Sequence, residues 1–252
     1  MANQSKTKKI IKEFLKKFLE EHAKDNLKVE GILVAGSFLD NKKISKNSDL
    51  DLFIVIKSHK KRYRGMDIVD GLSIDYFINP IEQLRYDMSQ IKDSSNNTLS
   101  NAIAYGHIIQ DKNKNLLKLQ QQARKIIKNT IENPLPDFRI TLIKYTIDDY
   151  LKDIEDNYID KDYFAWQYNL SLLQNYLVEV FCRANKIPLV KPKYQRREIN
   201  KKHRRFVWLY QRLSMSSDQR QKMDNIKKLS KYVLDNLGGK LPRKWEIKSK
   251  SR

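Results

Sequence analysis

The chain has 252 residues, 40% of them apolar, and a formal net charge of +20. This length can hold one large domain or two small ones, and no run of 18 apolar residues is present, so we expect no membrane-spanning helix. The N-terminus lacks an apolar signal-peptide core, and the one cysteine, Cys182, cannot form an internal disulfide. We therefore expect a cytoplasmic protein.

The first half of the chain alternates between helical and strand patterns. Apolar residues three and four apart predict an amphipathic helix over residues 4–24. Short apolar runs bounded by turn residues predict strands. The dipeptide Asp70-Gly71 suits a tight type I′ turn, so the runs on either side of it predict a hairpin. The predicted strands are 28–35, 52–56, 66–69, 72–78 and 106–111. Three further helices are predicted, at 80–91, in a short segment that ends at Tyr105, and at 113–129.

The second half is predicted to be helical. Two prolines within Asn133-Pro134-Leu135-Pro136 break a helix and stiffen a linker, which indicates a domain boundary. The predicted helices are 138–159, 161–186, 197–214 and 217–237, and Gly238-Gly239 ends the last one. The second of them carries an apolar stripe suited to a bundle core: Phe164, Tyr168, Leu172, Leu173, Tyr176, Leu177, Val180 and Phe181. The predicted organisation is a domain at 1–132, a helical bundle at 137–239 and a basic tail at 240–252.

Two acids open the second predicted strand. Residues two apart on a strand point to the same face, so Asp49 and Asp51 project together, about 7 Å apart. Carboxylates held that close repel each other, and their burial without a counter-charge is costly. A divalent cation removes both problems, and carboxylates together with phosphate oxygens are typical ligands of Mg²⁺.

This stretch resembles the nucleotidyltransferase superfamily related to DNA polymerase β. The superfamily signature is Gly-Ser after the first strand, Asp-x-Asp on the second strand and a third carboxylate on a later strand. Here Gly36-Ser37, then Asp49 and Asp51, then Asp75 occur in that order, and the resemblance is close over residues 28–80.

Two other acids lie close to Asp75 in the sequence. A shift in the register of the hairpin would place one of them at the third position instead. Asp67 lies in the partner strand of the hairpin and Asp70 lies in its turn, whereas Asp75 lies within the following strand. We therefore assign the third position to Asp75.

The resemblance implies a fold and a reaction. The fold class is α+β, with a small mixed-sheet nucleotidyltransferase head followed by an all-α helical bundle, a layout that resembles the aminoglycoside-type enzymes of the superfamily. The implied reaction moves a nucleoside monophosphate from an NTP, with ATP as our first expectation, to an acceptor hydroxyl and releases pyrophosphate. Gly36 and Ser37 would hold the triphosphate. Asp49 and Asp51 would bind two Mg²⁺ ions, and Asp75 would share one ion and help remove the acceptor proton.

Acids are concentrated in the first helix of the predicted bundle. Seven acids occur between residues 148 and 162, opposed by Lys152 and Lys161. Of these, Asp149, Asp153 and Asp156 recur at helical spacing and make one acidic face. Such a face suits a polycationic acceptor, and one of its acids is a candidate general base. The alternative is an ordinary solvated helix face.

Bases are concentrated further on. Residues 186–252 hold 21 Lys and Arg against five acids. Basic residues interleaved with aromatic ones are typical of phosphate-backbone binding, although a solvated lysine-rich surface is the alternative. The candidate RNA-binding residues are Arg196, Arg197, Lys201, Lys202, Arg204 and Arg205.

Three hypotheses for the function follow. The acceptor is a small hydroxylated molecule, such as an antibiotic, if the acidic helix binds it. The acceptor is an RNA end, such as that of a tRNA, if the basic segment binds it. The third hypothesis is a non-catalytic, antitoxin-like partner protein that binds a nucleotide in a degenerate site, and the intact acids Asp49, Asp51 and Asp75 argue against it.

Overall fold

The computed structural model describes residues 2–36, 49–57, 59–90 and 98–247 of the chain. They belong to two compact units, Met1–Thr130 and Ile131–Arg252. The first unit combines helices with a five-stranded sheet, and the second is helical throughout its described part, which confirms the α+β fold class. None of the described helices is long and apolar enough to cross a bilayer.

The first unit is built around a mixed sheet in the strand order β3-β4-β2-β1-β5. The pairing of β2 with β4 is parallel, and the other three pairings are antiparallel. The strands are β1 (Val29–Ala35), β2 (Leu50–Ile56), β3 (Tyr63–Val69), β4 (Leu72–Pro80) and β5 (His107–Asp111). The helices are α1 (Ala2–Glu21), α2 (Ile81–Ser89), α3 (Thr98–Tyr105) and α4 (Asn115–Glu132).

The hairpin between β3 and β4 forms as predicted. Asp70 and Gly71 adopt φ values of +49° and +73°, and two positive φ values are what a type I′ turn requires. The turn sets the register, in which Val69 pairs with Leu72 and Met66 pairs with Asp75.

The two faces of the sheet are covered differently. On one face, α1 buries Ile10, Phe14 and Phe18 against alternate residues of the central strands. Those strand residues are Leu50, Leu52, Ile54, Ile56, Ile74 and Ile78. On the other face, α3 and α4 lie over β1: an added Cβ at Gly31 would meet Leu116 of α4, and one at Gly106 would meet Leu33.

The segment from Gly106 to Asp111 has a structural role. The Asp111 carboxylate accepts a hydrogen bond from the Leu117 backbone N–H at 2.9 Å and so caps the first turn of α4. Gln120 of α4 then donates to the backbone carbonyls of Ile103 and Gly106 at 3.0 and 2.9 Å. These bonds tie α4 to the end of α3.

The second unit is a bundle of helices around one apolar core. Its helices are α5 (Asp137–Ile159), α6 (Tyr163–Ala184), α7 (Pro192–Asn200), α8 (Arg204–Met215) and α9 (Gln219–Asn236). Ile147 and Ile154 of α5, Leu173 and Leu177 of α6, and Ile226 of α9 are fully buried in that core. Past α9, Trp245 packs on Tyr145 of α5, with ring centroids 5.4 Å apart.

Two predictions for this unit are wrong in part. The single helix at 197–214 is two helices, because the chain turns at Lys201–His203 and the N–H groups of Lys202 and His203 both bond back to the Ile199 carbonyl. Ile199 and Phe206 are seven residues apart, so the apolar period continues across the break and does not reveal it.

The predicted core stripe of α6 is the second correction. Phe164 and Tyr168 are 83% and 58% exposed, while Trp166 and Leu170 are 2% exposed. The helix is apolar on several sides, so the pattern alone does not select the side that packs.

Candidate active site

Three carboxylates converge on the sheet. Asp51 of β2 is directly paired with Asp75 of the parallel strand β4, and Asp49 immediately precedes β2. Each side chain offers one carboxylate oxygen, and the three oxygens lie within 4.8 Å of one another. Asp49 is exposed and the other two are half-buried. The structure therefore brings together all three acids that the sequence singled out.

Strand alternation fixes this arrangement. Leu50 and Leu52 flank Asp51 on β2 and are fully buried against α1, so Asp51 must point to the opposite face. Ile74, which precedes Asp75 on β4, is also fully buried against α1, so Asp75 likewise points to the opposite face. A one-residue slip of either strand would expose a large apolar side chain and bury an unpaired carboxylate, and both changes cost free energy.

Gly36 lies against the acids. It follows β1, whose last residue, Ala35, pairs with Asp51. Its φ is +79°, and a Cβ built on it would lie 1.8 Å from the Asp51 carboxylate oxygen Oδ2. Glycine is therefore required here both for the left-handed backbone and for space. Ser37, its predicted partner in nucleotide binding, lies outside the described residues.

The other two acids of the hairpin lie elsewhere. Asp67 of β3 points to the α1 face, where it accepts a hydrogen bond from the Lys17 ammonium at 2.8 Å. That bond holds the pKa of Asp67 below its ordinary value. Asp70 is exposed in the turn. The register thus leaves Asp75 as the hairpin acid that faces Asp51.

An aromatic and cationic surface continues from the acids along the same sheet face. Phe53 and Phe77, two residues beyond Asp51 and Asp75, stack with ring centroids 4.7 Å apart. The Arg64 guanidinium lies over the Phe77 ring at 4.7 Å. Met66, directly opposite Asp75, is 71% exposed. None of these residues was predicted from the sequence as part of the site, although the two-residue turn at Asp70-Gly71 determines that Met66 faces Asp75 and Arg64 faces Phe77.

The donor chemistry of the three acids fits Mg²⁺. This ion prefers oxygen ligands at about 2.0–2.1 Å, so two ligands on opposite sides of it are about 4.2 Å apart. The carboxylate oxygens of Asp49, Asp51 and Asp75 span at most 4.8 Å, close to that separation. Holding three negative charges this near each other also costs free energy that a cation removes.

The remaining candidate residues all lie in the second unit. Asp149, Asp153 and Asp156 are exposed on α5, on the side of that helix away from the buried Ile147 and Ile154. The basic candidates are exposed as well. They are Arg196 and Arg197 of α7, Lys201 and Lys202 in the turn, and Arg204 and Arg205 of α8.

Comparison with known proteins agrees with the geometry of the first unit. The nucleotidyltransferase domain family matches residues 11–206. A search of curated proteins found no match. Among solved structures, a nucleotidyltransferase-like protein from Exiguobacterium sibiricum 255-15 is 13% identical, with a TM-score of 0.47 over 88% of this chain and 75% of that one. Because the family match spans well over half of the sequence, the chain belongs to the nucleotidyltransferase domain family.

Proposed function

We propose that the protein transfers a nucleoside monophosphate from an NTP, with ATP as the first candidate, to an acceptor hydroxyl in a Mg²⁺-dependent reaction. The observation that carries this proposal is the convergence of the Asp49, Asp51 and Asp75 oxygens within 4.8 Å, next to Gly36. A site that had lost its catalytic function would have no need to hold three repelling carboxylates together. This argues against the non-catalytic hypothesis.

Each residue has a proposed role. Asp49 and Asp51 would hold divalent cations that accompany the triphosphate of the nucleotide. When bound, such cations neutralise phosphate charge and stabilise the attacking and leaving oxygens. Gly36 keeps the space beside Asp51 open, and its backbone can approach a phosphate closely. Ser37 is proposed to donate a hydrogen bond to the same triphosphate.

Asp75 is proposed to act on the acceptor side. It would help to hold a cation, and it accepts the proton of the acceptor hydroxyl as that oxygen bonds to the α-phosphorus. The bond from the α-phosphorus to the bridging oxygen breaks at the same time, and pyrophosphate leaves. Arg64, held over Phe77 on this face, places a positive charge where the phosphates approach.

The acceptor we propose is a small hydroxylated molecule that carries several amines, as an aminoglycoside-type antibiotic does. Support comes from Asp149, Asp153 and Asp156, three exposed carboxylates at successive turns of α5. They offer a polycation several attractive charges.

The test is a transfer assay. Purified protein is incubated with α-labelled ATP, GTP, CTP or UTP, with Mg²⁺ or with EDTA, and with a panel of aminoglycosides and deacylated tRNA. We expect label to appear on an aminoglycoside only with Mg²⁺. Label that appears only on tRNA would support nucleotidyl transfer but would show that the acceptor is RNA and not a small molecule.

A second measurement covers the case in which the panel lacks the acceptor. Mn²⁺, an oxygen-binding ion that reports its own binding by electron paramagnetic resonance, is titrated in the presence of ATP. Tight binding that Asp51→Asn removes supports the proposal. Unchanged binding in that variant, with no transfer to any acceptor, contradicts it.

A further inference from the structure

We propose that α7 and α8 form a binding surface for single-stranded nucleic acid. We call the residues from Lys191 to Arg212 the α7–α8 segment. The proposal does not depend on the nucleotidyl transfer, because the surface lies in the helical unit and none of the catalytic carboxylates belongs to it.

The first observation is charge that stays unneutralised. The α7–α8 segment holds nine Lys and Arg and one acid, Glu198. Glu198 is already paired with Arg197 and Lys201. Six further basic side chains of this segment are exposed, and no ion pair joins any of them to an acid among the described residues: Lys193, Arg196, Lys202, Arg204, Arg205 and Arg212. Their combined field attracts polyanions.

The second observation is an exposed tryptophan between two arginines. On α8, the buried residues Phe206, Leu209 and Leu213 define the core side. Arg204, Trp208 and Arg212 follow each other at intervals of four residues on the opposite side. The Trp208 side chain is 52% exposed, and the Arg212 guanidinium lies 5.0 Å from its ring centroid.

The third observation is a half-buried aromatic ring on α7 that also contacts cations. Tyr194 is flanked by the Lys193 ammonium at 5.0 Å and the Arg197 guanidinium at 5.6 Å from its ring centroid. Cations held on aromatic faces leave a flat surface that binds a base by stacking and a phosphate by charge.

These features together favour a single strand. Single-stranded nucleic acid offers unstacked bases to aromatic side chains and phosphates to Arg and Lys, whereas a duplex hides its base faces. A membrane surface would instead need a broad apolar stripe, and the solvent side of α8 has arginines on both sides of its tryptophan.

The test measures binding without NTP or metal. A fluorescein-labelled oligocytidine of about twelve nucleotides, in RNA and DNA forms, is titrated with the full chain by fluorescence anisotropy at several salt concentrations. We expect Trp208→Ala to weaken binding about tenfold and Trp208→Phe to restore most of the loss. The matched control is Phe164→Ala, which removes the 83% exposed ring of α6 and should change affinity less than about twofold.

A second pair of variants tests the charges. Replacing Arg204 and Arg212 with Gln should make the slope of log affinity against log salt shallower by about 1.4, since each phosphate contact on a single strand contributes about 0.7. The control replaces Lys12 and Lys16, two exposed lysines of α1, and should leave the slope unchanged. Thermal melts of all variants confirm that they fold.

Several outcomes would overturn the proposal. One is an equal loss of oligonucleotide affinity in Trp208→Ala and Phe164→Ala. Another is a loss of affinity in the arginine variant alone, because general charge attraction would then explain the binding. Tighter binding of a duplex of the same length also contradicts it. Trp208-dependent capture by anionic vesicles, with oligonucleotide affinity unchanged, would assign the surface to lipid instead.

Discussion

The two units of the molecule handle charge in opposite ways. In the first unit, three carboxylates are forced within 4.8 Å of one another by strand register and are supported by buried residues on the opposite face. In the second, like charges are spread along helix surfaces, acids on α5 and bases on α7 and α8. Concentrated charge stabilises a reacting group at one point, whereas spread charge attracts a partner from a distance. Single substitutions should therefore have large effects in the first unit and small, salt-dependent effects in the second.

The largest effect is expected at Asp51. Asp51→Asn removes a charged ligand at the centre of the cluster, and the loss of several kcal/mol of transition-state stabilisation lowers nucleotidyl transfer by about a thousandfold or more. Folding should not suffer, because one of three repelling charges is removed from the metal-free protein. The measurements are label transfer and thermal melting with and without Mg²⁺.

The thermal melting measurements provide the control for this prediction. An ion that binds only the folded state raises the stability of the wild-type protein, so Mg²⁺ with ATP should raise its melting temperature. Asp51→Asn should lose that increase and still unfold cooperatively. Transfer activity within about tenfold of wild type would contradict both the role of Asp51 and the comparison between the units.

The next largest effect is expected at Gly36, with Gly71 as its matched control. Gly36→Ala forces a methyl group to within 1.8 Å of the Asp51 carboxylate and strains a residue with φ of +79°. Gly71→Ala meets no atom within 4 Å and strains a similar φ of +73°. Both variants should lose about 1–2 kcal/mol of unfolding free energy from the backbone alone, but only Gly36→Ala should also weaken Mn²⁺ binding and transfer. Equal effects on activity would mean that Gly36 serves only the turn.

The acidic cluster could be predicted from the sequence because each step was local. Alternation placed Asp49 and Asp51 on one face, and the Asp70-Gly71 turn fixed the strand that holds Asp75. The five strands and the helices, apart from the break between α7 and α8, followed from apolar period and turn residues. The resemblance added what no local rule contains, namely that Asp75 belongs with Asp49 and Asp51. The structure supplies the reason, which is the parallel pairing of β2 with β4.

What could not be predicted depends on packing between elements. Phe164 and Trp166 are both apolar and two residues apart on α6, yet one is 83% and the other 2% exposed. Only the position of the neighbouring helices decides between them. The break between α7 and α8 was missed for a similar reason, since Ile199 and Phe206 keep the helical period while the polar residues between them turn the chain. The contact of Gly36 with Asp51 likewise needs coordinates.

A smaller effect is expected on α5. Asp149, Asp153 and Asp156 are spaced three and four residues apart, and like charges at those spacings destabilise a helix by about 0.2–0.5 kcal/mol per pair. Replacing all three with Asn should therefore raise the melting temperature slightly at low salt and not at 1 M salt, while aminoglycoside binding measured by calorimetry falls. A melting temperature that drops at low salt would show that these acids form stabilising contacts instead.

The smallest effect concerns Glu198, the one acid among the bases of the α7–α8 segment. Hydrogen bonds from Lys201 and Arg197 hold the pKa of Glu198 below its ordinary value of 4.5. A carboxyl with a lowered pKa in the folded state contributes stability above pH of about 4.5 and loses it as pH falls through the folded-state pKa. Glu198→Gln should thus be less stable than wild type at pH 7, by below about 1 kcal/mol because its partners are exposed. The difference should shrink as pH falls below 4.5. Melting temperatures from pH 7 to pH 3 measure this. A difference between wild type and Glu198→Gln that stays constant with pH would mean that packing, and not charge, accounts for the contribution of Glu198.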